Sequence, residues 1–540
     1  MSWRPSNASP NWRPEMGRSL LVAWAIGAGW LGPSAAQTPA PVKVLRKPTM
    51  SEDLQMFSQV LNQIRVNHPD SIDAHRLIMA AIEGMVRAAD PHSYVLPVTR
   101  LSPEKATELQ DGKLFPIPID FRFVGGTPVV AAVQPGSKAE RADILPGDEL
   151  VAVDGEAVTA LSAAELTVSL AGAKNSIAKL TLARQRADGT TLEVGRDVRR
   201  ERIDDEGNAV PVVQMLDQQT GYIRITTFNN SKVADQLHDA VGLLKKAGMR
   251  RLVLDLRDNG GGLVRQAAEV AGEFLPAGAI VYTAETKKDK PDTVRVKRSF
   301  WKSEDRYPIV AMVDDGTASA SELVAGALQD HDRAVVVGRP SFGKSLMMQG
   351  MPLLDGSTIV LVIGRIRTPC GRIVQREYRS LTRRDYYRLA AADRDTVGRA
   401  SCTTAAGRRV FGGGGIYPDV MMPAPAAAPT WLAKILEEEL PLKWAGAYLS
   451  ETSLPTSVDS LLAKPEVLGG AVANFRKFAV GRNFEIPAGE DVDHRLLRVL
   501  TLELAAVKWG DSGYYRVVAA GDPAVAEAVK HFDMAAKIGR

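Results

Sequence analysis

Cysteine is nearly absent: Cys370 and Cys402 are the only two in 540 residues. So low a count excludes a disulfide-stapled scaffold, and the two thiols can either pair in an oxidising compartment or stay free. Seven histidines are scattered without H-x-x-x-H or paired-cysteine spacing, so no metal site is expected. A one-sided charge is also lacking. Lys and Arg number 67 against 63 Asp and Glu, and the net charge of +4 gives no case for nucleic acid. The apolar stretch near the N-terminus, Ser19 to Leu31 (SLLVAWAIGAGWL), is short for a membrane span.

That stretch follows Arg13 and Arg18 and precedes Ser34-Ala35-Ala36-Gln37. A basic flank, a short apolar core and small residues make a secretory signal cleaved after about Ala36, with an uncleaved anchor as the alternative. Met16 is an alternative start. The chain is therefore expected outside the cytoplasm, in the periplasm or at a membrane.

What remains is ordinary globular composition, 45% hydrophobic and 24% charged, long enough for several domains. Residues 37–50 read as a Pro-rich linker. Residues 51–111 begin helical, with Leu54, Phe57, Leu61 and Ile64 on one face and a second helix through Leu77, Ala81 and Met85, ended by Asp90-Pro91. Residues 112–190 read as a small β-rich module. It has strands at Thr127–Val133 and Ala178–Arg184, turns at Pro146-Gly147-Asp148 and Asp154-Gly155, and a short helix at Ala163–Leu170. Over 205–425 strands alternate with helices, which implies an α/β core with helices packed on a sheet. Residues 426–540 are helical by periodicity and carry no recognisable motif; a plain packing domain is the simplest reading.

Within the α/β core, GRPSFGKS (Gly338 to Ser345) follows the apolar run Ala334–Val337 and spells the G-x-x-x-x-G-K-S of a phosphate-binding loop. Context argues against it. Such a loop needs a helix directly after its lysine, and here Gly350, Pro352 and Gly356 follow, with a strand over Ser357–Ile363. No nucleotide is expected.

Another chemistry suits Lys344. In VAMVDDGTASASELVAGALQD (Val310 to Asp330) an apolar strand enters a tight turn and small residues open a helix. A serine at that junction lies in the positive field of the helix N-terminus beside free amides. It still needs a base. No histidine is suitably placed, but a lysine whose pKa is lowered by burial can serve, and Lys344 ends a strongly apolar strand.

The strings TASASELVAGALQD, VVGRPSFGK and LDLRDNGGG, with Ala89-Asp90-Pro91-His92-Ser93, Thr368-Pro369, Gly371-Arg372 and GGGGIYPDV (Gly412 to Val420), resemble the carboxy-terminal processing (tail-specific) serine peptidases over about residues 50–425. The A-x-I-x-P-G-D-x-L-x-x-V-D-G string within Ser137–Val158 resembles a PDZ domain. The resemblance implies a crotonase/ClpP-like α/β core with an inserted PDZ-like domain, an N-terminal helical segment and a C-terminal helical domain. It implies Ser319 as nucleophile and Lys344 as general base, with an oxyanion hole from the amides of Gly262 and Ala320 and no cofactor. Asp330 matches an acidic position that some relatives need, and equally suits a helix-end surface ion pair. Substrates would be proteins or peptides with exposed C-terminal tails; a homo-oligomer or an adaptor is left open.

Two departures stand out. The family's lysine-orienting glutamine, four residues after the lysine, is Met348 here, with Gln349 one step late. The tail-binding loop, usually glycine-rich, reads Phe115-Pro116-Ile117-Pro118-Ile119, and its prolines remove two amide donors. Simpler roles are available for several residues: Ser321 as a helix cap, Asp255 and Arg257 as an ion pair beneath the loop, Glu322 as a complement to the helix dipole. A non-hydrolysing peptide-binding protein is the rival of another class, and a nucleotide hydrolase a remote one.

Overall fold

The computed structural model describes residues 49–538, apart from 97–112, 125, 135–136, 159–165, 167–168, 186–189, 202–206, 288, 301–305, 355–356, 380, 382–384 and 387–394. The secretory signal, nearly all of the linker and most of the expected helix Ala163–Leu170 lie outside the described residues. No helix among the described residues is long and apolar enough to cross a membrane.

Two helices, Met50–Asn67 and Ala74–Ala89, make up the described part of a short N-terminal unit. The first opens on a capping box: the Thr49 amide donates to Glu52 at 2.7 Å, and the Glu52 amide to the Thr49 hydroxyl at 3.4 Å. Its expected apolar face exists but buries no residue; Leu54 and Phe57 are exposed.

In the larger unit, the central sheet has six strands. Val212–Met215 pairs antiparallel with Thr220–Arg224; then Arg251–Asp255, Ile309–Val313, Val335–Gly338 and Val420–Met421 follow in spatial order, all parallel. Parallel strands need crossovers, supplied by helices Val233–Lys246, Val264–Ala271 and Ala320–Asp330. Both faces of this sheet are covered, which is why its strands are nearly continuous Val, Ile and Leu. Ile223, Leu252, Leu254, Ala311 and Val336 pack under the crossover helices. The alternate residues Tyr222, Val253, Val310, Met312 and Val337 face the last helices, through Val525, Ala528 and Phe532.

Beside it a second sheet is built on Thr358–Arg367, which pairs with Leu346–Pro352, Tyr94–Leu96 and Ile280–Thr286. The inserted β module runs Ile119–Val124, Thr127–Val133, Glu149–Val153, Ile177–Gln185, Thr191–Arg199 across one antiparallel sheet, with Leu150, Leu180 and Leu182 in its core. Helices from Thr430 onward enclose a separate apolar cluster around Trp444, Phe475 and Leu500. This cluster abuts the β module closely: a Cβ on Gly446 would lie 2.2 Å from the Pro146 carbonyl.

Candidate active site

Ile309–Val313 is buried at every position and delivers the chain to the turn Asp314–Ala318. The Thr317 hydroxyl, donating to the Leu256 carbonyl at 2.9 Å, pins that turn to the strand alongside. Ser319 follows with φ 56° and ψ −119°, a left-handed conformation costly for a non-glycine residue and one that clusters at functional sites. The helix it opens, Ala320–Asp330, is buried along its whole length.

The glycine loop lies directly against this junction. The Asn259 carbonyl accepts the Ala318 amide at 2.9 Å and the Ser321 hydroxyl at 2.9 Å. Ser321 therefore ties the helix to the loop instead of capping the helix. A Cβ on Gly261, where φ is +90°, would come within 2.7 Å of Ser319 Cβ and 2.8 Å of the Ala320 nitrogen. At Gly262 the neighbour is backbone again, Phe228 C at 2.3 Å. Gly260 has open space, so Gly261 and Gly262 alone make the close approach. The Gly262 and Ala320 amides have no acceptor among the described residues, as an oxyanion hole requires.

Lys344 reaches the same place from the neighbouring strand. Val313 and Gly338 are register partners, and the Phe342 amide donates to the Thr317 carbonyl at 2.9 Å. One carboxylate then joins the two segments. Glu322 Oε2 accepts the Ser319 amide and the Lys344 amide, each at 2.8 Å; Oε1 accepts the Gly343 amide at 2.7 Å and the Ser341 hydroxyl at 2.5 Å. Burial pushes the Glu322 carboxyl up to about 7, against the pull of these four donors. Burial lowers the Lys344 amine from its ordinary value, and the charge of Glu322 opposes this in part. The Tyr386 hydroxyl, 3.3 Å from the Gly343 carbonyl, and the edge of its ring against Phe342 help to wall the lysine loop from water. Sequence reasoning gave Glu322 a dipole role only and did not single out Tyr386. The signal for Glu322 was the S-x-x-E spacing of a capping box; for Tyr386 there was none.

Other candidates fall elsewhere. After Lys344 comes the strand Leu346–Pro352, with no helix for a phosphate to cap. Gln349 is exposed on that strand opposite Leu361 and makes no hydrogen bond to Lys344; the bulge between Met347 and Met348 does not bring it in. Asp330 closes the eleven-residue helix at the end opposite Ser319, about 16 Å along the axis. It is buried, not at the surface, where it pairs with Arg372 and accepts the Cys370 amide at 3.0 Å. Cys370 and Cys402 form a disulfide with Cα atoms 6.4 Å apart. Asp255 and Arg257 do pair beneath the loop, at 2.6 Å.

The fold is an α/β core with a smaller antiparallel β module ahead of it. Residues 219–379 match the model of peptidase family S41, and residues 129–184 match the PDZ domain model. With these two modules in this order, the chain is similar to the carboxy-terminal processing peptidases of family S41. A carboxy-terminal-processing protease of Bartonella bacilliformis is 29% identical over 60% of this chain and 73% of its own length. A carboxyl-terminal-processing protease of Synechocystis is 33% identical over 54% of this chain and 66% of its own length. Among solved structures, a photosystem II D1 C-terminal processing protease aligns with 73% of this chain and 90% of its own at 24% identity, with a TM-score of 0.35.

Proposed function

We propose that the protein is an exported serine endopeptidase that cuts protein substrates near their C-termini through a Ser319/Lys344 dyad. The observation that carries this reading is the Glu322 carboxylate, one oxygen of which holds the backbones of both Ser319 and Lys344. Ser319 Oγ attacks the scissile carbonyl carbon as its proton passes to the neutral Lys344 amine. The resulting oxyanion accepts hydrogen bonds from the Gly262 and Ala320 amides. As the C–N bond breaks, the lysine returns the proton to the leaving amine, and the acyl-enzyme forms. Water then attacks the ester, giving a proton to the same lysine, which passes it to Ser319 Oγ as the acyl C–O bond breaks, so that the free hydroxyl and the neutral amine are restored. No step calls on a metal or an organic cofactor.

Substrate tails have a docking edge in the PDZ-like module. Ile119–Val124 is an outer strand of that sheet, with no strand paired on its other side among the described residues, and an extended peptide can add there as a further strand. Export follows from the N-terminal sequence pattern, and an oligomer or adaptor stays open.

Ser319→Ala and Lys344→Ala should each abolish cleavage of an unfolded protein with an apolar C-terminal tail, a loss of about 1000-fold or more. Full activity in either variant overturns the dyad. A fluorophosphonate adduct on Ser319, located by mass spectrometry, separates this reading from a non-hydrolysing peptide binder.

A further inference from the structure

The oxyanion loop stands on a cluster of charges that is completed from the far end of the chain. Asp255 is wholly buried and accepts from the Tyr222 hydroxyl at 2.7 Å, Arg224 at 3.0 Å and Arg257 at 2.6 and 2.9 Å. Burial alone would raise its carboxyl, yet the charges of Arg224 and Arg257 hold it well below the usual range. Arg224 also donates to the Arg257 carbonyl at 2.9 Å and approaches Asp258 at 3.4 Å, so it grips the first residues of the loop.

Two guanidiniums share one buried carboxylate here; Asp258, 3.4 Å from Arg224 but largely exposed, offsets the remaining charge only weakly, and Arg257 calls for a second carboxylate. The second carboxylate is Asp522, at 2.7 Å from Arg257 Nη2 and itself mostly buried. Asp522 Oδ1 caps the helix Pro523–Val529 through the Ala524 amide at 2.8 Å. The ring of Tyr515, also from the C-terminal segment, lies 4.7 Å from the Arg224 guanidinium. Above the cluster, Asn259 joins the loop to the Ser319 turn through the Ala318 amide and the Ser321 hydroxyl.

We infer that Asp522 is a positioning residue for the oxyanion loop, acting through Arg257, so that the C-terminal segment is part of the catalytic unit. This rests on the peptidase reading above. With Asp522 neutralised, Arg257 loses its second partner and the loop its fixed seat, so the Gly262 amide is no longer held where the oxyanion forms. Substrate still binds, since tail docking does not involve this loop.

The full-length protein with Asp522→Asn should show kcat reduced about tenfold, with KM within about twofold of wild type. Asp522→Glu, which keeps the charge, should recover part of that loss. Phe532→Leu loosens the same helices on the sheet, where its ring lies under Arg251, without touching Arg224 or Arg257, and should lower the melting temperature while leaving kcat near wild type. Wild-type kcat in Asp522→Asn overturns the inference, as does an equal loss of kcat in Phe532→Leu. If Ser319→Ala is inactive while Asp522→Asn is normal, only this inference fails; if Ser319→Ala is active, the peptidase reading itself fails.

Discussion

Two places in this chain, the Ser319 turn and the loop before Ile119, are made differently. At the Ser319 turn, backbone groups from three segments converge on buried side chains: Glu322 gathers four donors and the Asn259 carbonyl two. At the loop before Ile119 the carbonyls of Pro116 and Pro118 are taken by the Glu201 and Gln134 amides, each at 3.0 Å, and the proline nitrogens have nothing to donate. The first site spends buried polar groups on holding amides in place. The second has shed amides. The backbone at the Ser319 turn is thus held by buried polar groups, while the PDZ-like module offers the proposed tail an outer strand edge.

The sharpest way to break the first half of that contrast is Glu322→Gln. An amide offers one acceptor oxygen. Its NH2 must face either the Ser319 and Lys344 amides or the Gly343 amide and the Ser341 hydroxyl, of which only the hydroxyl can accept, so at least one bond is lost whichever way it turns. Activity should fall by about 100-fold. The pH profile adds a sign. Lys344 acts as a base only when neutral, so activity rises with pH through its lowered pKa. The Glu322 charge raises that pKa in the wild type, so the residual activity of Glu322→Gln should rise at lower pH than wild-type activity does. A limb that stays put, or moves to higher pH, would show that the carboxylate does not act on the amine.

Gly261→Ala tests the close approach of the loop. The added methyl would meet the Ala318 carbonyl at 2.6 Å and the Ala320 nitrogen at 2.8 Å, at a φ of +90°. Since these neighbours are backbone, the loop itself must move, at a cost of about 1–3 kcal/mol. Thermal melts should show that loss, together with a drop in kcat, while Gly260→Ala, with open space around it, should melt close to wild type. Equal behaviour of the two variants would mean that the loop does not sit tightly on the nucleophile.

Much of this was legible in the sequence because it depends on local signals. Apolar strand, small-residue turn and helix around Ser319 follow from periodicity and composition, and Val335–Gly338 reads as a buried strand. Contacts between residues distant in sequence were not legible. For Asp330 the sequence left an acidic position that some relatives need and a surface ion pair equally open, because nothing local announces Arg372, 42 residues on. Likewise, the Asp522 contact to Arg257 spans 265 residues and follows from the last helices lying on the central sheet. Their periodicity shows an apolar face but not which surface it covers. Gln349 stood between two readings, turned off the lysine by strand alternation or restored by a bulge; the strand carries a bulge between Met347 and Met348, and Gln349 is exposed.

The smallest effect is expected where the contrast is weakest, in the PDZ-like loop. Pro116→Gly with Pro118→Gly returns two N–H donors to the place where PDZ domains receive a tail carboxylate, without disturbing the carbonyls that Glu201 and Gln134 hold. The change also frees the unfolded chain more than the folded loop, so the stability cost should be about 1 kcal/mol. In a Ser319→Ala background, to prevent cleavage, calorimetry with a peptide ending in apolar residues should show affinity raised several-fold, on the order of one added hydrogen bond. The same peptide with an amidated C-terminus should gain nothing, because the new donors answer only to the carboxylate. If both peptides improve equally, the gain comes from loop flexibility and the prolines do not gate tail capture. If neither improves, tails enter this module by the strand edge alone.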